Sequence, residues 1–473
     1  MLVVSTFLIN AVFNFALGLL IARFLGPEGF GHYAIAAAAA LVLNVLFLDW
    51  IRLAATRFYS NRSRAEDPAV RGTLDAIFIL SCFGVSLTCA IAIGAGFDLG
   101  LMTSLAALVP IMAICNGLFD YHTALARARF EERSYSLMVI LKNAFSLALM
   151  VGGAWFFQSP LIVAAGFILS IALTVLTGRR RLRDPGTLIL KPDAMKARQF
   201  FLYAFPVIFA ALIYFAIPLW NRTAIAATLG FAQSGQFSLS YDIAIRVVQT
   251  VGSALDILLF QIALKAEAEN GLDQAKKQLS VNMGIVLAFV AAITTGYWLV
   301  LPSFEAVLVP QAFRGSFAAI TVILLPGLAC FALIQAAISP VLQLKRKTFP
   351  LILAALVALG VNALLTWRLG TEASAADYAR AQAFSYGAAM LAAGALALHA
   401  MRVLPAPRDV AGALLATIAM VAAVWPLRAM QPGLLVLAAS VIIGAVAFGI
   451  TAYAVNLADL RNRLKRYLSG ASA

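Results

Sequence analysis

The sequence predicts an all-α polytopic membrane protein of about 14 transmembrane helices: two six-helix lobes related by a repeat, followed by two C-terminal helices. Three observations lead there: the composition, the alternation of apolar segments with basic loops, and short landmarks that recur in order. Of 473 residues, 63% are hydrophobic and 12% charged, whereas a soluble domain carries about 25% charged residues. A bilayer is the solvent that fits such a chain.

A helix crosses the hydrocarbon core in roughly 20 residues. By that rule spans fall at about 2–22, 33–51, 75–97, 101–124, 135–157 and 160–178, then at 200–221, 236–262, 278–301, 316–342, 349–368, 380–400, 409–427 and 433–456. The division is an N-terminal lobe at 1–178, a basic cytoplasmic linker at 179–199, a C-terminal lobe at 200–402, and two additional helices with a basic cytoplasmic tail at 403–473. The last two spans match neither half.

Lys and Arg collect on the cytoplasmic side of a membrane protein, and here they occupy alternate loops. Cytoplasmic groups are Arg62, Arg64 and Arg71; Arg127, Arg129 and Arg133; the linker cluster Arg179, Arg180, Arg181 and Arg183 with Lys191, Lys196 and Arg198; Lys265, Lys276 and Lys277; Lys345, Arg346 and Lys347; Arg402 and Arg408; and Arg461, Arg463, Lys465 and Arg466. Both termini are therefore expected in the cytoplasm, as an even number of spans requires. No basic leader or small-residue cleavage site precedes Arg23, so no removable signal peptide is expected. The net charge of +14 is spent on topology and on attraction for anionic headgroups, and no nucleic-acid partner is expected. Cys82, Cys89, Cys115 and Cys330 sit in apolar segments without a CxxC pair, which reads as buried thiols, with no disulfide or metal site.

Leu25-Gly26, Gly31, Tyr33 and Ile35 recur 204 residues later as Leu229-Gly230, Gly235, Phe237 and Leu239. A second echo, at an offset of 216, pairs Pro110 with Pro326, Ala113 with Ala329 and Arg129 with Lys345. Two repeats in one membrane chain are the usual plan of a secondary transporter whose halves rock about a central site. Pro206, Pro218 and Pro326 interrupt apolar stretches, where kinks help helices open around a cavity. There is no GxxxxGK[ST] phosphate-binding loop and no loop large enough for a soluble catalytic domain. Neither ATP hydrolysis nor any other enzyme activity is expected, and no cofactor.

Polar residues at membrane depth cost about 2.5 to 3.5 kcal/mol each and face a partner or a cavity. In the first half they are Asn10, Asn14, Arg23, Asn44, Asp49, Arg52 and Arg57; in the second, Asn221, Arg222, Asp242, Arg246 and Asp256. Asn10 and Asn14 share a helical face. Arg23 either snorkels to the interface or lines a lumen, and Arg57 reads as an anchor. Asp49 with Arg52, and Asp242 with Arg246, are spaced to neutralise each other. Lys142, beside Asn143, has no acidic neighbour on its own helix and points to a lumen; Asn116, Asp120 and His122 could form a proton-linked group, or Asp120 could pair with a base on a neighbouring helix.

At Leu20 to Tyr33 (LIARFLGPEGFGHY), Ala55 to Ser60 (ATRFYS), the Tyr203-Ala-Phe-Pro206 opening of the seventh span, and Leu229 to Ser240, the sequence resembles the polysaccharide flippases of the multidrug/oligosaccharidyl-lipid/polysaccharide exporter superfamily. The similarity runs over about residues 5–350. It implies two six-helix lobes, often with two extra helices, that carry undecaprenyl-diphosphate-linked oligosaccharide across the bacterial cytoplasmic membrane. The implied partners are that substrate, membrane lipids, a polysaccharide polymerase and a chain-length regulator. Many relatives have an acidic residue where this chain has Asn221, which puts ion coupling at that position in doubt. For the diphosphate the candidate cations are Arg23, Arg52, Lys142 and Arg246, Arg being able to fork onto phosphate oxygens. Asn10, Asn14, Tyr214, Trp220, Asn221 and Arg222 are candidate polar and aromatic contacts, and Asp49, Asp120 and Asp242 candidate ion-coupling residues. A drug or metabolite antiporter of the same superfamily is the alternative; it would make Asp49 or Asp120 essential and the basic residues dispensable.

Overall fold

In a computed structural model, residues 2–178, 182, 184, 192–345, 349–370 and 372–461 are described, without the side chains of 2–8, 64–65 and 250–258. Most of the linker cluster (Arg179, Arg180, Arg181, Arg183 and Lys191), Arg346, Lys347, Arg463, Lys465, Arg466 and the Asp256 side chain lie outside the described set. Among the described residues every regular element is helical. Twelve helical stretches are long and apolar enough to cross a membrane, so the chain is a multi-pass membrane protein with the expected all-α fold.

The difference between twelve stretches and the fourteen expected spans has a local cause. Helix α1 (Leu2–Phe47) carries the first two spans, and only Gly26, at φ 68° and ψ 177°, departs from helical geometry between them. That region of backbone space is essentially closed to residues with a Cβ. Helix resumes at once with Pro27, whose missing N–H costs nothing in a first turn. A second interruption at Leu48 separates α1 from the short α2 (Asp49–Phe58). After α3 (Asn61–Glu66) come α4 (Pro68–Gly94), α5 (Thr103–Ala128), α6 (Glu132–Phe157) and α7 (Pro160–Gly178).

The second half repeats the device. Helix α8 (Ala194–Leu229) ends at Gly230, at φ 88° and ψ 164°, and α9 (Phe231–Leu308) begins at the next residue. Within α9, Gly271 breaks the helix between the expected spans at 236–262 and 278–301. Then follow α10 (Ser316–Leu344), α11 (Phe349–Trp367), α12 (Ala375–Met401), α13 (Pro407–Arg428) and α14 (Leu434–Ala454). Pro206 and Pro218 lie inside α8, and Pro326 inside α10.

By internal contacts the chain forms two compact units, Met1–Leu239 and Ser240–Ala473. In the first, α1 packs on α5 and α8, α2 on the same two helices, and α7 on α5 and α6. Helix α8, which opens the second half by sequence, thus belongs to the first unit by packing. Its core centres on Ile35, Leu48, Ile51, Leu74, Leu105, Met112 and Leu125. In the second unit α12 packs between α10 and α11, and α13 against α14.

The repeated glycines meet each other. A Cβ built on Gly31 would lie 2.1 Å from the carbonyl oxygen of Phe231, and one on Gly235 would lie 1.9 Å from that of Pro27. Pro27 and Phe231 are themselves repeat equivalents, so the contact is reciprocal. His32 stacks on Phe231 beside it, ring centroids 3.6 Å apart. Forcing a side chain into such a contact typically costs about 1–3 kcal/mol or more. Gly31→Ala and Gly235→Ala are each expected to lower the thermal melting midpoint of the detergent-purified protein by several degrees. Gly360→Ala, where nothing lies within 4 Å, serves as the control and should not; equal melting in all three would remove the contact from the account.

Candidate functional site

Five charged residues of the first unit converge on a cavity of about 550 Å³. Helical spacing explains how. Asn116, Phe119, Asp120, Thr123 and Arg127 form one face of α5; Tyr135, Val139 and Lys142 one face of α6; Val207, Ala211 and Phe215 one face of α8. Asp49 and Arg52 come from α2, Phe167 and Ile171 from α7. Asn10 and Asn44 both line the cavity from α1. In a straight helix, residues this far apart would be separated by about 50 Å at 1.5 Å per residue. The break at Gly26 brings them to one place.

Arg52 is held on Asp49 by a forked ion pair: Nε donates to Oδ1 and an Nη to Oδ2, the latter at 3.0 Å. The two side chains keep 30% and 15% of their surface exposed, so the pair is open to the cavity it lines. Asp120 lines the same cavity and sits in the field of both Arg52 and Lys142. Lys142 Nζ donates to Asn14 Oδ1 at 3.4 Å and lies 5.6 Å from the centre of the Phe119 ring. Asn14 and Asn143 both donate to Asn10 Oδ1, at 3.0 and 3.1 Å. Arg127 lies over the Tyr135 ring at 5.7 Å. Three cations and two carboxylates therefore share one space with a chain of amides, a lining that suits an anionic, hydroxyl-rich ligand.

Of the residues singled out from sequence, Asn10, Asn44, Asp49, Arg52, Asn116, Asp120 and Lys142 line this cavity, and Asn14 is bonded to two of them. The others lie elsewhere. Arg23 is exposed on α1 and Trp220 on α8. Tyr214, Asn221 and Arg222 are buried in α8, and Arg222 donates to the Ala34 carbonyl oxygen at 3.2 Å. Asp242 is half-buried and Arg246 exposed, both in the second unit. Arg127 and Tyr135 were missed as lining residues because a basic residue at a span end reads as a topology signal. The α5 periodicity from Asn116 through Asp120 and Thr123 to Arg127 was the available clue.

A second charged cluster, without a cavity, closes the end of the same unit. Arg129, whose side chain is 1% exposed, donates to Tyr59 Oη at 2.9 Å and to Asp184 Oδ1 and the Leu182 carbonyl oxygen at 2.8 Å each. Tyr59 donates to the other Asp184 oxygen at 2.5 Å. Burial and that bond push the Tyr59 phenol pKa up. Arg71 Nε donates to both carboxylate oxygens of Asp75, which also accepts from Tyr121 at 2.6 Å. Lys196 bonds Asp67, so the linker is fastened at Leu182 and Asp184 and again at Lys196. Arg71 and Arg129 are thus structural ions and not solvated loop charges; the Arg71–Asp75 spacing of four was the readable sign.

The second unit holds a cavity of about 700 Å³ lined by apolar side chains of α9, α13 and α14, among them Ile285, Phe289, Val300, Met420, Val424 and Phe448. Size does not separate the two cavities; charge does. Only the polar one offers chemistry for a phosphate.

Neither a family model nor a curated protein matches the sequence. Among solved structures, the inward closed conformation of the lipid II flippase MurJ matches with a TM-score of 0.68, over 96% of this chain and 98% of its own, at 13% identity. An inward-facing multidrug resistance MATE transporter of the MOP superfamily matches with a TM-score of 0.58, over 85% and 98%, at 14% identity. A MATE protein in complex with MaD3S gives 0.54, over 87% and 94%, at 14% identity. The chain shares its fold with these solved structures. At these identities the likeness concerns the path of the helices. The side chains in the cavity carry the rest of the argument.

Removing one member of a buried ion pair strands its partner, at a cost of about 3–5 kcal/mol. Arg129→Ala is expected to lower the melting midpoint of the purified protein markedly. Arg62→Ala, which breaks an exposed pair with Glu66, should leave it unchanged, as surface pairs contribute little. Equal effects would mean that the Arg129 cluster does not fasten the linker.

Proposed function

We propose that this protein is a flippase that moves undecaprenyl-diphosphate-linked oligosaccharide across the bacterial cytoplasmic membrane by alternating access, for surface or exopolysaccharide synthesis. The observation that carries the reading is the placement of Arg52 and Lys142 together in one cavity of the first unit. A diphosphate in the membrane needs cations that replace its lost hydration. Arg does so through two parallel hydrogen bonds, and Lys as a mobile point charge. Arg23 and Arg246 are proposed as further cations along the route. The amide chain of Asn10 and Asn14 is proposed to meet sugar hydroxyls, and Tyr214, Trp220, Asn221 and Arg222 to contribute in other stages. A negative cytoplasm favours outward movement of negative charge by about 2.3 kcal/mol per charge per 100 mV. Direction therefore has a source besides an ion gradient, which Asp49, Asp120 or Asp242 would sense. Polymerase and chain-length regulator would act on the product on the far side.

Arg52→Ala and Lys142→Ala are each expected to reduce surface polysaccharide by at least about tenfold, as loss of one charged hydrogen bond of roughly 1.5–3 kcal/mol requires. Lipid-linked precursor should accumulate unpolymerised on the cytoplasmic face. Arg52→Lys should recover part of the activity. Unchanged polysaccharide together with lost drug resistance in Asp49→Ala or Asp120→Ala cells would reject the reading in favour of the antiporter.

A further inference from the structure

We infer that Asp49 is a built-in competitor for the phosphate: its carboxylate occupies the Arg52 fork when the cavity is unloaded, yields it to the incoming anion, and takes it back to drive release. The inference rests on the diphosphate reading of the cavity and adds how that site lets go. The motive observation is the forked geometry. Asp49 Oδ1 and Oδ2 accept from Arg52 Nε and Nη in the same two-bond arrangement by which a guanidinium holds phosphate.

A guanidinium away from bulk water cannot be left unpaired without a penalty of several kcal/mol. A site made of Arg alone would bind a diphosphate and then hold it, because release would strand the cation. Asp49 removes that obstacle. It lies three residues before Arg52 in the same short helix, so the two travel together and their pair can re-form whatever the rest of the bundle does. Asp49 is also in the first turn of α2, where the helix dipole steadies a carboxylate that has given up its partner. The exchange is favourable on arrival because a diphosphate brings more charge than one carboxylate and also engages Lys142. It stays reversible because the displaced Asp49 and nearby Asp120 repel the bound anion. Binding that is equally strong at every stage would lower the turnover rate; a carboxylate that competes only at this fork weakens the bound stage selectively.

The experiment uses the full chain in nanodiscs of zwitterionic lipid, with geranylgeranyl diphosphate as the probe and geranylgeraniol as the uncharged control. Affinity and dissociation rate are measured for wild type, Asp49→Asn, Asp49→Ala and the double variant Asp49→Asn with Arg52→Ala, each first shown monodisperse by gel filtration. The expected result is diphosphate binding at least about tenfold tighter in both single Asp49 variants. Slower dissociation should accompany it, with the gain abolished in the double variant and no change for geranylgeraniol. Equal diphosphate affinity in wild type and both single variants would overturn the exchange while leaving the diphosphate reading intact. Weaker binding in both would overturn it by making Asp49 part of the binding surface. Absence of diphosphate binding in every protein would overturn both the exchange and the substrate reading.

Discussion

The first unit depends on two backbones touching. Gly31 lies against the carbonyl of Phe231, and Gly235 against that of Pro27, so the turn that opens each repeat is packed on its own copy. Close approach of this kind requires the absence of a Cβ on both sides, and duplication supplies it automatically: a glycine that fits once fits twice. The neighbouring glycines, Gly26 and Gly230, adopt positive φ with extended ψ, which breaks the helix at one residue with no loop. Without the break at Gly26 the amide of Asn10 could not share a cavity with Asn44 and α2. Backbone geometry at the repeat therefore precedes, and permits, the chemistry of the site.

Electrostatics does the rest. The cavity places Arg52, Lys142 and Arg127 with Asp49 and Asp120, so its charges nearly compensate one another. That is the condition under which charges survive inside a helical bundle. The same compensation sets a limit on how tightly an anion is held. The Arg129 cluster follows the opposite logic: with its side chain 1% exposed and fully engaged by Tyr59, Asp184 and Leu182, it leaves no room for a ligand and serves to fasten the linker. Exposure to a cavity, more than charge, distinguishes a candidate site from a structural ion pair.

Much of the architecture was legible from the chain. Apolar length located the helices, because backbone groups in lipid must be satisfied within each segment and a span therefore has to be one unbroken run. What that rule does not contain is how runs are joined. Residues 23–32 read as a loop, yet only Gly26 leaves the helix, since Pro27 can start a helix as readily as it ends one. The site was half legible. Asp49–Arg52 and the isolated Lys142 follow from helical spacing and the cost of a lone charge. By contrast, the contributions of Arg127 and Tyr135, and the exposed position of Arg23, depend on how helices rotate about their axes. Nearly uniform apolar faces do not specify that rotation. The likeness to MurJ at 13% identity shows the same asymmetry: the path of the helices persists while side chains change.

The central claim is that this cavity lets a diphosphate-linked lipid cross the membrane. The most direct measurement is leaflet-to-leaflet transfer of a fluorescent polyprenyl-diphosphate sugar in proteoliposomes holding the purified protein, read by quenching from the outer face. Saturable transfer, faster with an imposed potential of the favourable sign and absent for the matching neutral polyprenyl glycoside, is the result the account predicts. No transfer above protein-free liposomes, or equal transfer of the diphosphate and the neutral lipid, would contradict it.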